Sequence, residues 1–399
     1  MLIKATLSNA RHPEYGEVTI PFPIKTSEYD RIMEMLANLE IGNIMGRDCK
    51  IMELSSPYSI LQKLEGSEVN IDELDYLAKR LESFEADQDL QFQAAAFARG
   101  VTSIEDFINL TFCSDQATVI YDFTNLEAVG RQHFMNLHGG CASTEELENL
   151  DGYETALLLI DGGGAEITPY GVLYDNGMKM EQLYKGGPFP PYLYDTYELV
   201  LPISPDQDPQ NKTYLYLPSS DLQLERTLLR SEIMEREGWF HKLEPIQLSS
   251  VITEKLDTRR DSIRELNEMC RSIHQLSHVD RAKLDAAVEY THAKTASQIR
   301  QVAEHLDQFD FAPGVHTPEE YGRYMIRDSG HFDYDSNLDE FYDYGKYGHM
   351  HLERSQGMFT EQGYISYHGI LSLDALMEEA PTEQSQEEQG EDLGMGELT

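Results

Sequence analysis

Several groups of residues carry types and spacings with a chemical meaning. Asp333-Tyr334-Asp335-Ser336-Asn337 opens like a calcium loop, with oxygen ligands at alternate positions. Leu338 then stands where such a loop needs glycine, and Tyr344 where it needs a bidentate glutamate, so specific calcium binding is not expected. His331, His349 and His351 lie near these acids. His349 and His351 would share one face of a strand, but no neighbouring cysteine or HxxxH pair supports zinc, and they read as surface histidines. Cys113 and His133 are the types of a nucleophile and its base, yet nothing in the sequence joins them, and a packed thiol is the better reading. Asp161-Gly162-Gly163-Gly164 fails as a dinucleotide loop, because Ile167 occupies the third glycine position. It reads as a hairpin turn after a buried strand. GxxxxGK[ST], HExxH, GxSxG and paired CxxC are all missing. The expectation is therefore no catalytic residue, no metal and no cofactor.

What remains is acid. Asp plus Glu total 71 against 31 Lys plus Arg, a formal net charge of −40. Three clusters stand out. One runs from Glu65 to Asp89 and includes Asp72, Glu73 and Asp75. A second is Glu145, Glu146, Glu148, Asp151 and Glu154. A third is Asp333, Asp335, Asp339, Glu340 and Asp343, with Glu319 and Glu320 upstream. Solvated helix faces usually mix signs. Here the third cluster is interleaved with Phe332, Tyr334, Phe341, Tyr342 and Tyr344 instead of lysines. Acids three or four apart on a helix lie about 5–6 Å apart, the scale of phosphate spacing along a nucleic-acid strand. Phosphates would repel such a surface, so direct DNA binding is excluded. Its natural partner is a strongly basic groove, which cells build mainly to hold nucleic acid.

The 40% hydrophobic fraction, with 23 tyrosines and 15 phenylalanines, excludes a wholly disordered acidic chain. The N-terminal residues lack the apolar stretch of a signal peptide, and the longest aliphatic run, Ala156–Ile160, is far below a membrane span. Cys49, Cys113, Cys141 and Cys270 lie far apart. Free thiols in a soluble, cytoplasmic protein are expected.

The elements that must carry these acids come in two sets. Residues 1–23 align on 196–218 at an offset of 195. The offset then settles at 192: Ile71 and Leu74 match Ile263 and Leu266, Gly130-Arg131 match Gly322-Arg323, and Thr168 and Gly171 match Thr360 and Gly363. An internal repeat of this length predicts duplication. Each copy reads as α+β: a strand pair with a turn (Asn9–Gly16; Ser204–Asn211), a helical middle, and a closing helix and strand segment. Tyr29, Ile32, Met33 and Leu36 predict one helix. Ile71, Leu74, Leu77, Leu81 and Phe84 form a second apolar stripe, and Ile299, Val302, Ala303 and Leu306 its counterpart. The domains are predicted as 1–175, a Gly/Pro-rich connector over 176–195, a second copy over 196–370, and an acidic disordered tail over 371–399. Arg131 and Arg323, beside Gly130 and Gly322, are expected to bridge to acids of their own helices.

Copy two resembles the ArdA antirestriction proteins. The likeness runs through Asp261–Asn267, Glu319–Ile326, Asn337–Gly348 and Gly357–Ile365; copy one keeps Leu126–Arg131 but lacks the Tyr-Asp-Tyr segment. The resemblance implies a protein elongated overall, an acidic, non-enzymatic mimic of B-form DNA, encoded on mobile elements, that occupies the DNA groove of type I restriction–modification enzymes. Family members are about half this length and typically dimerise, so a homodimer and a single-chain pseudo-dimer both stay open. The alternatives are a decoy of another DNA-binding protein (a nucleoid protein, a repressor or a CRISPR effector), an enzyme with an unrecognised motif, and acidity as salt adaptation.

Overall fold

The computed structural model describes residues 2–84, 87–192, 197–206, 212–233 and 239–378. The chain opens with β1 (Ile3–Asn9) and β2 (Glu17–Phe22), antiparallel with Ile3 opposite Phe22. In β1, Ile3, Ala5 and Leu7 point inward at the strand period of two. Helix α1 (Thr26–Ala37) buries Tyr29, Ile32, Met33 and Leu36, the predicted i, i+3, i+4, i+7 stripe. Then come β3 (Cys49–Ser55) and β4 (Glu68–Val69), completing a sheet of order β2-β1-β3-β4. Helices α2 (Ile71–Glu82), α3 (Gln88–Ala98) and α4 (Ile104–Leu110) follow. Phe84 lies past the end of α2, because Ser83 leaves helical geometry. The segment closes with β5 (Ala117–Ile120), α5 (Leu126–Leu137), α6 (Thr144–Asn149), α7 (Gly152–Asp161), β6 (Ala165–Thr168) and β7 (Gly171–Asp175), in a sheet of order β5-β7-β6.

Two sequence expectations are corrected here. Ala156–Ile160 is not a buried strand but the middle of α7, which Asp151 caps by accepting from the Glu154 N–H at 2.9 Å. Gly162-Gly163-Gly164 ends that helix, with Gly163 and Gly164 at φ of +73° and +79°. A short aliphatic run has no period that separates strand from helix. Nor is 176–192 a plain connector. Met178 and Tyr184 are buried, Asn109 exchanges hydrogen bonds with the Tyr184 backbone at 2.7 and 2.9 Å, and Phe189 stacks on Tyr76 with centroids 4.4 Å apart.

The chain continues with β8 (Leu199–Ser204), β9 (Thr213–Leu217), α8 (Asp221–Arg230), β10 (Trp239–Phe240), β11 (Glu244–Pro245) and α9 (Ser250–Thr253). The turn expected over Ser204–Asn211 falls partly outside the described residues. Three helices follow: α10 (Ile263–His274), α11 (His278–Thr291) and α12 (Ala296–Glu304); Leu306 sits in a 3-10 turn beyond α12. The end is β12 (Phe309–Pro313), α13 (Pro318–Arg327), a 3-10 turn over Ser336–Phe341, α14 (Tyr344–Ser355), β13 (Met358–Phe359), β14 (Gly363–Tyr367) and α15 (Leu373–Met377). Helix α15 corrects the expected tail boundary at 371, since Leu376 is buried; residues 379–399 of that tail lie outside the described residues. Among the described residues no helix is long and apolar enough to cross a membrane.

Two compact units emerge. The first holds described residues within 1–194, 204–214 and 220–238; the second holds those within 195–203, 215–219 and 239–399. Helix α8 therefore belongs to the first unit, although the strand before it ends in the second. Each unit closes in the same way. The sheet β12-β14-β13 has the order of β5-β7-β6, and Phe309 faces Tyr367 as Ala117 faces Asp175, at the offset of 192. The Thr168 hydroxyl donates to the Gly171 carbonyl at 2.8 Å, and Thr360 to Gly363 at the same distance.

Candidate partner-binding surface

In each unit the acid-bearing loop is slung between two helices that touch through glycine. A Cβ on Gly130 would lie 1.7 Å from the Gly152 carbonyl oxygen, and one on Gly322 2.0 Å from that of Tyr344. Only hydrogen fits at either crossing. The predicted cations stand beside these glycines. Arg131 pairs with Glu127 at 3.0 Å and donates to the Leu147 carbonyl; Arg323 pairs with Glu319 at 3.2 Å.

Between α13 and α14, Asp333, Asp335, Glu340 and Asp343 are exposed. Two of them also shape the backbone. Asp335 accepts from the Asn337 N–H at 2.9 Å, and Asp343 caps α14 through the Lys346 N–H at 2.9 Å. Asp339 is half-buried. Its Oδ1 accepts from the Tyr344 hydroxyl at 2.5 Å and the Tyr334 hydroxyl at 2.7 Å. These hydrogen bonds, Tyr344 first, hold its carboxyl below the usual range, while burial and then the bond to Asp339 push Tyr344 up to about 12. Arg323 lies over Tyr344 and Arg327 over Tyr334, each 5.1 Å from the ring centroid. Glu320 is exposed, but its carboxylate completes a capping box with Thr317 and accepts from the His316 N–H at 2.8 Å.

In the first unit Glu145, Glu146, Glu148, Asp151 and Glu154 are exposed on α6 and at the start of α7. Glu146 closes a capping box with Ser143. The third predicted group departs from this pattern. Asp72, Glu73 and Asp75 face inward, which corrects the expectation of a displayed cluster. Asp72 accepts from the Tyr29 hydroxyl at 2.8 Å, Arg226 at 2.8 Å and Arg230 at 3.0 Å. Glu73, 2% exposed, takes Arg47 and the Tyr184 hydroxyl, each at 2.9 Å. Asp75 takes the Ile24 N–H at 2.6 Å and Lys79 at 2.9 Å. Carboxylates buried in this way need such hydrogen-bond and ion-pair partners. The arginines that do so stand far away in sequence, so spacing gave no sign of them.

The other candidate chemistries are absorbed by structure. The Cys113 thiol donates to the Leu110 carbonyl at 3.7 Å and burial pushes it up to about 11, while His133 bonds the Thr118 hydroxyl at 3.0 Å. His349 and His351 lie on α14, not on a strand, so they do not share a face. Among the described residues, no three His, Cys, Asp or Glu side chains converge as metal ligands would. Sequence grouped the aromatic residues of the 332–344 segment but could not orient them. Tyr344 is buried, Tyr334 and Tyr342 are half-buried, and Phe332, Leu338 and Phe341 face water.

Residues 215–366 match the family model of the antirestriction protein ArdA. The matched span contains α13, the exposed acidic loop and α14. No curated protein matches the chain.

Proposed function

We propose that this protein, whose residues 215–366 match the family model of the antirestriction protein ArdA, is a stoichiometric, non-enzymatic inhibitor of type I restriction–modification enzymes. It acts in the cytoplasm as an acidic mimic of B-form DNA and occupies their DNA-binding groove. The observation that carries this reading is the loop of exposed Asp333, Asp335, Glu340 and Asp343 inside the ArdA-matching span. The loop is fixed by the Asp339 hydrogen bonds, so its carboxylates need little ordering when they meet lysine and arginine. The net charge of −40 adds steering towards a basic groove.

The shared glycine crossings, strand registers and Arg–Glu pairs support an ancient duplication, with copies over 1–175 and 196–370. Each copy presents its own acids, Glu145, Glu146, Glu148, Asp151 and Glu154 in one, and Asp333, Asp335, Asp339, Glu340 and Asp343 with Glu319 and Glu320 in the other. One chain then serves as a pseudo-dimer and covers a stretch of groove that a shorter relative covers with two.

The test is competition. The purified chain should displace DNA from a type I restriction–modification enzyme at near-stoichiometric ratio, with the effect fading as salt rises. Tight binding of the chain to duplex DNA at physiological salt would end this reading.

A further inference from the structure

The loop between α13 and α14 carries a ring with little over it. Phe341 keeps 81% of its surface exposed, more than any other Phe or Tyr among the described residues. Phe332 and Leu338 on the same loop are 51% and 46% exposed. The backbone that presents them is fixed by the Asp335 cap and by the two tyrosine hydroxyls on Asp339. A large ring held out on an ordered loop is the form of an interface anchor.

The fold does not require it. The first unit places its α6 where the second has the 3-10 turn, and Asn149 stands at the position matching Phe341. The stretch between that unit's crossing helices holds no Phe, Tyr or Trp; the exposed ring beside its acids, Tyr153 at 55%, sits on α7 itself. The second unit carries its ring on the connecting loop.

Charge selects what covers it. Glu340 precedes Phe341 and Asp343 follows two residues later, with Asp333 and Asp335 exposed on the same loop. A second copy of this surface would set carboxylate against carboxylate, which is costly. A cationic groove fits instead. Grooves that grip nucleic acid combine phosphate-holding cations with flat apolar or aromatic surfaces on which bases stack. Enzymes that modify a base also extrude it into a snug pocket.

We infer that Phe341 is the anchor of the partner contact: the acids take the places of phosphates, and this ring enters a slot that otherwise receives a base. The inference rests on the proposed function. Its test is displacement of DNA from a purified type I restriction–modification enzyme by the full chain and by Phe341→Ala, Phe341→Tyr and Glu340→Gln. Phe341→Ala should raise the half-inhibitory concentration about 30-fold, by a factor that high salt leaves in place. Phe341→Tyr, which keeps the flat ring, should inhibit like the wild-type chain. Glu340→Gln should cost only a few-fold, less at high salt. The ring is exposed, so the melting temperature should stay unchanged in all three. Full inhibition by Phe341→Ala overturns the anchor alone, as does equal loss in Phe341→Tyr. A fall in mass by light scattering for Phe341→Ala, with inhibition intact, reassigns the patch to self-association. If the wild-type chain itself leaves DNA in place, the proposed function falls and the anchor with it.

Discussion

Asp72 and Asp333 carry the same carboxylate into opposite surroundings. Asp72 is held by Arg226, Arg230 and the Tyr29 hydroxyl, and the two guanidinium groups are only 7% and 4% exposed. Removing the charge would leave two buried cations short of their anion. Asp72→Asn should therefore destabilise the first unit by about 3 kcal/mol or more, read as a fall in its calorimetric melting temperature, with inhibition intact below that temperature. Asp333 is exposed. Asp333→Asn should leave melting unchanged and weaken inhibition only a few-fold, since an exposed ion pair contributes about 0.2–1 kcal/mol. If Asp72→Asn melted normally but failed to inhibit, the inward carboxylates would be contact residues after all. Asp339 sets the pH response of the loop. A carboxyl held below its ordinary value contributes stability above that value, about 4, and loses it as pH falls through the depressed one. Tyr344, raised to about 12, stays protonated at neutral pH. Inhibition should be flat from about pH 6 to 9, the range between these two groups, and the near-ultraviolet tyrosine signal of the loop should change only under acid. A midpoint near neutrality would show that another group governs it.

At the scale of elements, glycine crossings fix how the loops are presented. Helices α13 and α14 meet at Gly322 and Gly348, where an added Cβ would lie 2.0 Å from the Tyr344 carbonyl oxygen and 1.7 Å from that of Pro318. Those neighbours are backbone and cannot turn aside. Gly322→Ala should cost about 3 kcal/mol and splay the loop, lowering both the melting temperature and inhibition. Gly345, on α14, meets nothing nearer than an Asp343 oxygen at 3.9 Å, so Gly345→Ala should be tolerated and serves as the control. Equal melting of the two variants would show that the crossing is not tight. Capping works in the same direction. Thr317 with Glu320 and Ser143 with Glu146 form capping boxes, so some acids of the display also start helices. Neutralising Glu320 or Glu146 should therefore move stability as well as binding.

For the whole molecule, the cut between units does not follow the repeat. Helix α8 comes after the strand pair of the second copy yet packs in the first unit, where Arg230 also donates to the Asn70 side chain at 2.7 Å. A fragment ending at 195 loses both arginines that balance Asp72. It should melt lower than a fragment ending at 238, or fail to fold, as circular dichroism would show. Equal stability of the two would make α8 dispensable to the first unit. Binding, by contrast, should be distributed. Neutralising Asp333, Asp335, Asp339, Glu340 and Asp343 together should cost far more than any one of them, because many small screened contacts add up. Loss of all inhibition on one acid-to-amide change, with the fold intact, would point to a dedicated residue instead.

The sequence by itself determined what depends on local pattern. The α1 stripe, the β1–β2 pair, the α+β class and the fixed offset that recurs in Gly130 and Gly322 were all legible, because strand and helix periods and repeat spacing are written along the chain. So was the sign of the chain's own charge, since charge can be counted. Burial cannot be counted. Asp72, Glu73 and Asp75 look like any acidic helix face until Arg226, Arg230 and Arg47 arrive from distant segments. The aliphatic run before Asp161 has no period to separate α7 from a strand, and the glycines and prolines after 185 hide the burial of Tyr184. Phe341 and Tyr344 are neighbours in one aromatic stretch, and only the packing of α13 on α14 turns one ring out and the other in. Which carboxylates face water and which face an arginine is a property of the tertiary structure, because desolvation is decided by atoms far apart in sequence.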